Sequence, residues 1–341
     1  MRIQKLSTAA IAISTLIIFL STLAQADIVF HSLREDVSEL YVMNDDGGDV
    51  RRLTDNAFKE GRPIWSPDGT SIVFMRDINS AVLGQQQQIH NVVMRADGSA
   101  QRNLTQPLGI EGGNAAWSPD GRQIILSIWS IGTHDIVTLN IATGTLRYLT
   151  NNPAEQGGST APCFSPDGRQ IVYEQTQLQR GRTIYKMNAN GKHAKALLPG
   201  DGKTMRYFPR FSPDGKYILY SESQFHIAQR VITLVASRIV IMRADGSNQR
   251  ALSIPKSWAT GGACWAADGR EILFSAMQDG LEHRNGNFDI YRYDLNSRAI
   301  TNLTNHPADD YSPDWTARSL SVSAVEKLTT QWAEIKTNGI D

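Results

Sequence analysis

The stretch R-P-I-W-S-P-D-G-T-S-I-V-F, residues 62–74, decides the fold because its centre is written again and again. Trp-Ser-Pro-Asp-Gly returns at 117–121, Phe-Ser-Pro-Asp-Gly at 164–168 and 211–215, and a worn Trp-Ala-Ala-Asp-Gly at 265–269. The aspartates Asp68, Asp120, Asp167, Asp214 and Asp268 stand 52, 47, 47 and 54 residues apart, the period of folds whose unit is a small sheet. In each copy proline presets φ, serine and aspartate bond nearby backbone, and glycine accepts the positive φ that closes a hairpin. The five aspartates are therefore assigned to structural turns.

An apolar run without polar alternation follows each turn: Ile72-Val73-Phe74, Ile124-Ile125-Leu126, Ile171-Val172-Tyr173, Ile218-Leu219-Tyr220 and Ile272-Leu273-Phe274. Such a strand is covered on both faces. A third strand comes next, as in Leu40-Tyr41-Val42-Met43 or Ile184-Tyr185-Lys186-Met187, then a second hairpin signal such as Ala96-Asp97-Gly98 or Ala244-Asp245-Gly246. The fourth strand is the most polar. Polarity rising from first strand to fourth predicts radial sheets with a buried inner edge and a wet outer one, stacked face to face as a β-propeller.

The chain enters at Asp27 with a second, third and fourth strand but no first, and Tyr311-Ser312-Pro313-Asp314-Trp315 has no fourth partner after it. Trp315 aligns with Trp65, so Ser312-Pro313-Asp314 belongs to a strand and not to a turn. Joining the two ends predicts an all-β, six-bladed propeller of four-stranded antiparallel blades over residues 27–318. Residues 1–26, with basic Arg2 and Lys5, an apolar run and a small-residue cleavage site at Ala24-Gln25-Ala26, are expected to be a signal peptide. The 34 Lys and Arg, less Arg2 and Lys5, leave 32 against 34 Asp and Glu. This neutral balance gives no sign of a nucleic-acid partner. Residues 319–341 are expected to hold a short strand and a helix with Leu328, Trp332 and Ile335 on one stripe.

The pattern P-x-W-S-P-D-G, the I-x-F strand, the I-Y-x-M-x-A-D-G hairpin and the closing R-x-L-T resemble the propeller repeat of the TolB family, whose namesake is the periplasmic component of the Tol-Pal envelope system. TolB carries an α/β domain before its propeller, and here the propeller is expected to follow directly on the signal segment. The resemblance implies a non-enzymatic binding module that takes a protein or peptidoglycan-associated partner; with the signal segment, the protein is expected to be periplasmic or secreted, and it is expected to be monomeric and without a cofactor. No span of a membrane is expected once the signal is removed.

Alternating strand direction puts both tight turns of each blade on one face. The second-to-third loops and the blade-to-blade connections lie on the other, where the segments 77–88, 223–235 and 277–287 are long loops. That face is the expected working surface, with Arg62, Asn114, Thr160, Arg206, Tyr207, Trp258, Asp310 and Tyr311 entering the inner strands at the channel rim. Arginine and aromatic groups there suit recognition of a partner. The seven histidines show no metal-ligand spacing and there is no G-x-S-x-G elbow, so no catalytic or metal residue is assigned. The alternative function is a propeller enzyme acting on a saccharide, a lyase or glycosidase, with Asp309, Asp310 and Glu60 as the carboxylates at the mouth. Cys163 and Cys264 fall in inner strands two blades apart, beyond the ~7 Å Cα separation that a disulfide tolerates, and both are expected to be buried free thiols.

Overall fold

A computed structural model describes residues 28–316, apart from 81–85, 131, 155–156, 178–179, 229–230, 267 and 283–285. The proposed signal peptide and the C-terminal helix with Leu328, Trp332 and Ile335 lie outside the described residues. Six four-stranded antiparallel sheets are arranged as a ring. Blade 1 contains Lys59–Trp65, Ser71–Asp77, Ile89–Arg95 and Arg102–Asn103, from the axis outward. Blades 2 to 5 occupy residues 112–148, 159–196, 204–251 and 259–302 in the same order. Blade 6 closes the ring: its inner strand is Asp310–Trp315, and Ile28–Ser32, Glu39–Met43 and Arg51–Arg52 complete it. Ile28 pairs with Trp315 and Ser32 with Asp310, so the chain ends join in the predicted register. Among the described residues a 3-10 turn forms at Gln106–Leu108, and no described helix is long and apolar enough to cross a membrane.

The unalternating I-x-F strand has a simple cause. Ile72 and Phe74 face back into the wedge shared with blade 6, whereas Val73 faces forward into the wedge shared with blade 2. The same division holds around the ring, with Ile124, Leu126 and Ile125, then Ile171, Tyr173 and Val172, on opposite sides of their blades. The core is thus six apolar wedges between neighbouring blades. Each second strand is buried on both faces because it belongs to two wedges at once.

The other repeated letters have equally local reasons. In four turns the serine hydroxyl donates to the aspartate at 2.6 Å: Ser66 to Asp68, Ser118 to Asp120, Ser165 to Asp167, Ser212 to Asp214. The hydroxyl and the following backbone N–H hold Asp120, Asp167 and Asp214 below the usual carboxylate range. The closing L-T pins the outer strand. Thr54 donates to Glu39, Thr150 to Asp135 and Thr304 to Asp289, while each threonine oxygen accepts the N–H of the residue after that carboxylate. The glycine of A-D-G lies so close to the preceding blade that a Cβ on Gly98 would meet the Leu53 carbonyl oxygen at 2.5 Å, and one on Gly246 the Leu197 oxygen at 2.7 Å.

Two expectations need correction. Segment 223–235 is no loop: Tyr217–Ala228 and Val231–Arg243 run as one long hairpin, because Val231-Ile232-Thr233-Leu234-Val235 is rich in β-branched residues and keeps the ladder going. Both cysteines are free, but only Cys264 is buried. Cys163 is partly buried because it packs at the margin of its wedge and lines the cavity on the turn face.

Candidate functional site

Every inner strand breaks its register once, so that two residues oppose one on the second strand: between Gly61 and Ile64, Gly113 and Ala116, Thr160 and Cys163, Tyr207 and Arg210, Thr260 and Ala263. The closing strand does the same against Ile28–Ser32. A bulge bends its strand and re-aims a side chain. At Arg62, Asn114, Ala161, Phe208 and Ser312 the bulge residue has φ between 38° and 53°, strained for any residue with a side chain. Gly262 stands in the sixth place. All six positions lie three residues before the closing Trp or Phe, and all six line the waist of the central channel.

The bulge also turns a backbone N–H toward the preceding blade, where the residue after I-x-F receives it. Glu174 accepts the N–H of Phe208 at 2.7 Å, Met75 Sδ faces that of Asn114 at 3.3 Å, and His31 Nδ1 that of Arg62 at 3.5 Å. Burial, with the charge of Arg62, lowers the His31 pKa to about 3. Its ring is therefore neutral and free to accept.

The waist holds a cavity of ≈ 40 Å³ between a cleft of ≈ 380 Å³ at the loop face and one of ≈ 500 Å³ at the turn face. Across it the Arg62 guanidinium lies 4.3 Å over the Phe208 ring, joining opposite blades. Arg210, Cys264 and Asp314 share the waist. Asp314 accepts the Trp65 N–H at 2.8 Å, and burial raises its pKa to about 7, with Arg210 pulling the other way. Burial also pushes the Cys264 thiol well up, so it remains protonated.

The residues expected at the rim separate into three groups. Arg62 and Asn114 line the waist. Thr160, Tyr207 and Tyr311 lie one residue before the positions that do: Thr160 donates to Glu174 at 2.9 Å, and the Tyr207 ring lies 5.1 Å beneath the Arg182 guanidinium. Arg206, Trp258 and Asp310 are engaged locally, as is the Tyr311 ring. Arg206 is buried against Glu222 at 3.1 Å, Asp310 is fully buried and paired with Arg34 at 2.9 Å, and the Trp258 ring packs on Tyr291 at 4.9 Å. Tyr311 stacks on His31 at 5.6 Å and on Phe288 at 4.8 Å, its hydroxyl donating to Asp309. Asp309 also accepts the Phe288 N–H, and Glu60 is buried against Arg76, so Asp309, Asp310 and Glu60 each hold a local partner. Among the described residues no group of three or more His, Cys, Asp or Glu is placed to hold a metal. Phe208, Arg210, Ser312 and Asp314 were missed from sequence, although their constant spacing from the closing aromatic would have pointed to them.

One arrangement extends beyond the waist. Exposed Trp129 meets His134 edge-on at 4.9 Å, and the charge of Arg182 reaches His134. Arg182 covers Tyr207, Tyr207 lies 6.0 Å from Phe208, and Phe208 stacks on Arg62. Beyond Arg62 the series continues through His31 and Tyr311 to Phe288. Aromatic and guanidinium surfaces from all six blades thus form a band across the mouth of the channel.

The profile of the TolB β-propeller domain family matches residues 87–283. An uncharacterised peptidase of Bacillus subtilis, YuxL, is 29% identical over 147 residues, 43% of this chain and 20% of that protein. The Tol-Pal system protein TolB of Francisella tularensis is 39% identical over 83 residues, 24% of this chain and 18% of that one. The matches span about a fifth of the length of these curated relatives. The crystal structure of TolB from Acinetobacter baumannii superposes with a TM-score of 0.65 at 15% identity, covering 85% of this chain and 66% of that one. At that identity the likeness is one of fold.

Proposed function

Because the chain belongs to the TolB β-propeller domain family, we propose that it is an exported, non-enzymatic binding protein that takes a protein or envelope-associated partner on its loop-bearing face. It acts in the periplasm or outside the cell, as a monomer and without a cofactor. The observation that carries this reading is the band of aromatic and guanidinium surfaces from Trp129 to Phe288. Rings and guanidinium planes lose little conformational freedom on contact and desolvate with a large area, which is why they dominate binding energies at protein interfaces. Loops that differ from blade to blade surround the band, as befits a surface shaped for one partner. The sequence resemblance to a Tol-Pal system protein supports a partner in the cell envelope.

The test is capture from envelope extract by wild type and by a Trp129→Ala/Tyr207→Ala double variant. Trp129 is exposed and Tyr207 partly so, so the variant should unfold like wild type. Arg206 is a poorer choice, since its loss would leave Glu222 with Arg238 alone. The expected result is one partner recovered by wild type and lost by the variant. Equal recovery by both would remove the band as the site, and recovery of nothing specific by wild type would remove the binding function.

A further inference from the structure

We propose that the channel waist is a carboxylate receptor, in which Arg62, with Arg210 beside it, takes the carboxylate of an acidic residue or chain end inserted by a bound protein from the loop face. This rests on the loop-face binding reading and adds the chemistry of what enters.

The waist contains two cations with no carboxylate at ion-pair distance. Around the same mouth Arg34 is paired with Asp310, Arg76 with Glu60, Arg182 with Glu174 and Arg206 with Glu222. Arg62 and Arg210 are the arginines that line the waist, and among the described residues neither has a carboxylate oxygen within 4.0 Å. Asp314, the carboxylate of the waist, is bonded to the Trp65 N–H and lies beyond that distance from both. A guanidinium cannot give up its charge to escape burial. Burial pushes Arg62 below its ordinary pKa; Glu174 opposes this, and Arg210 and Arg182 add to it. An anion beside it would relieve all of these unfavourable contributions except that of burial itself.

The site is also shaped for such a ligand. The Arg62 guanidinium lies over the Phe208 ring, and among the described residues its N–H groups, which can grip a carboxylate in fork geometry, have no hydrogen-bond acceptor. The Asn114 amide and the Ser312 hydroxyl line the same waist, and among the described residues neither side chain has a hydrogen-bond partner. Both sit at the strained bulge, with φ of 38° and 50°. The ≈ 40 Å³ of the waist corresponds to about three water-sized positions at roughly 10–15 Å³ each, room for the three heavy atoms of a carboxylate. The ≈ 380 Å³ cleft above it accommodates the remainder of the residue that carries it.

Ligand-observed saturation-transfer NMR on the full chain tests this with three peptide probes, N-acetylglutamate N-methylamide, N-acetylglycylglycine and N-acetylglutamine N-methylamide, and with galacturonate as a saccharide acid. At least one acid should bind, and the glutamine compound about tenfold more weakly, as expected when a charge-assisted bond becomes a neutral one. The first acid reports a side-chain carboxylate and the second a chain end. Arg62→Gln should weaken acid binding about tenfold and Arg62→Lys less; unchanged thermal unfolding would show that both variants fold. The receptor is overturned if the glutamine compound binds as well as the acids, if no acid binds, or if neither Arg62→Gln nor Arg210→Gln weakens binding. Galacturonate binding with the peptide probes silent would replace the protein ligand by a saccharide. Partner capture lost from the Trp129/Tyr207 variant, with the acids silent, would keep the loop-face reading and remove the receptor. Arg62-dependent acid binding without any captured partner would do the opposite.

Discussion

The two ends of the cylinder are built from the same strands and differ in almost everything else. At the turn end four Ser-Pro-Asp-Gly turns close alike, with a 2.6 Å hydroxyl-to-carboxylate bond and glycines at φ 67° to 72°. At the loop end the strands of different blades stop and resume at different distances. In blade 2 the second strand ends at Ser130 and the third begins at Thr133, in blade 4 they end at Ala228 and begin at Val231, and in blade 1 they end at Asp77 and begin at Ile89. The turn end spends its polar groups within single turns. At the loop end Glu60, Glu174 and Glu222 are buried between strands and neutralised by arginines. Local satisfaction makes the ring repeatable, while long-range pairing makes one face individual.

This difference predicts unequal sensitivity, greatest for Glu222. Its carboxylate, with a side chain 4% exposed, holds Arg206, whose own side chain is 10% exposed. Removing one partner of a buried pair leaves an uncompensated charge. Glu222→Ala should lose about 3–5 kcal/mol in chemical denaturation, whereas Asp120→Ala at the turn end should lose about 1 kcal/mol. Equal losses would mean that the two ends are stabilised in the same way.

Asp314 stands between the ends and makes the comparison dependent on pH. Its folded pKa, about 7, lies above the unfolded value of about 3.9, so the native state holds the proton more tightly. The resulting stability is fully present below about pH 4 and is lost as pH rises through about 7, by at most a few kcal/mol. Arg210 and the protonated Cys264 thiol are the groups facing it in the waist. His31, whose pKa is lowered to about 3, works in the opposite direction, destabilising the fold as pH falls below about 6.5. The difference between wild type and Asp314→Asn therefore isolates the effect. An asparagine oxygen can still accept the Trp65 N–H, so the variant should gain on wild type between about pH 4 and 7 and hold that gain above it. Parallel unfolding profiles would show that the Asp314 carboxyl is solvated.

The two ends were also unequally legible in the sequence. Ring, strand order and closure followed from the spacing of the turns and from aligning Trp315 with Trp65, because each repeated letter answers a local need. By residue chemistry alone the rim falls one residue before the waist in three blades, at Thr160, Tyr207 and Tyr311, where Ala161, Phe208 and Ser312 line it. Residue chemistry does not mark the position, which the bulge fixes by distance from the closing aromatic. The Arg62–Phe208 contact was invisible because it joins opposite blades, and nothing local marks it. Segment 223–235 was taken for a loop because it interrupts the repeat, although its β-branched residues extend the hairpin.

The smallest effect asks whether the turns are interchangeable. In blade 5 the worn copy has Ala266 where the others have serine; Asp268 accepts the Arg270 N–H at 2.8 Å, but no hydroxyl is available to it. In blade 2 the Ser118 hydroxyl donates to Asp120 and accepts the Gln123 N–H at 3.0 Å. Ser118→Ala should therefore cost about 1 kcal/mol and Ala266→Ser gain about as much, the net worth of one hydrogen bond. Both shifts would be read from denaturation midpoints at unchanged slope. If Ala266→Ser gains nothing while Ser118→Ala costs the expected amount, the turn of blade 5 has settled into a geometry of its own. Regularity at the turn end would then stop at four copies, and the blade after the long hairpin would be the place where the ring tolerates departure.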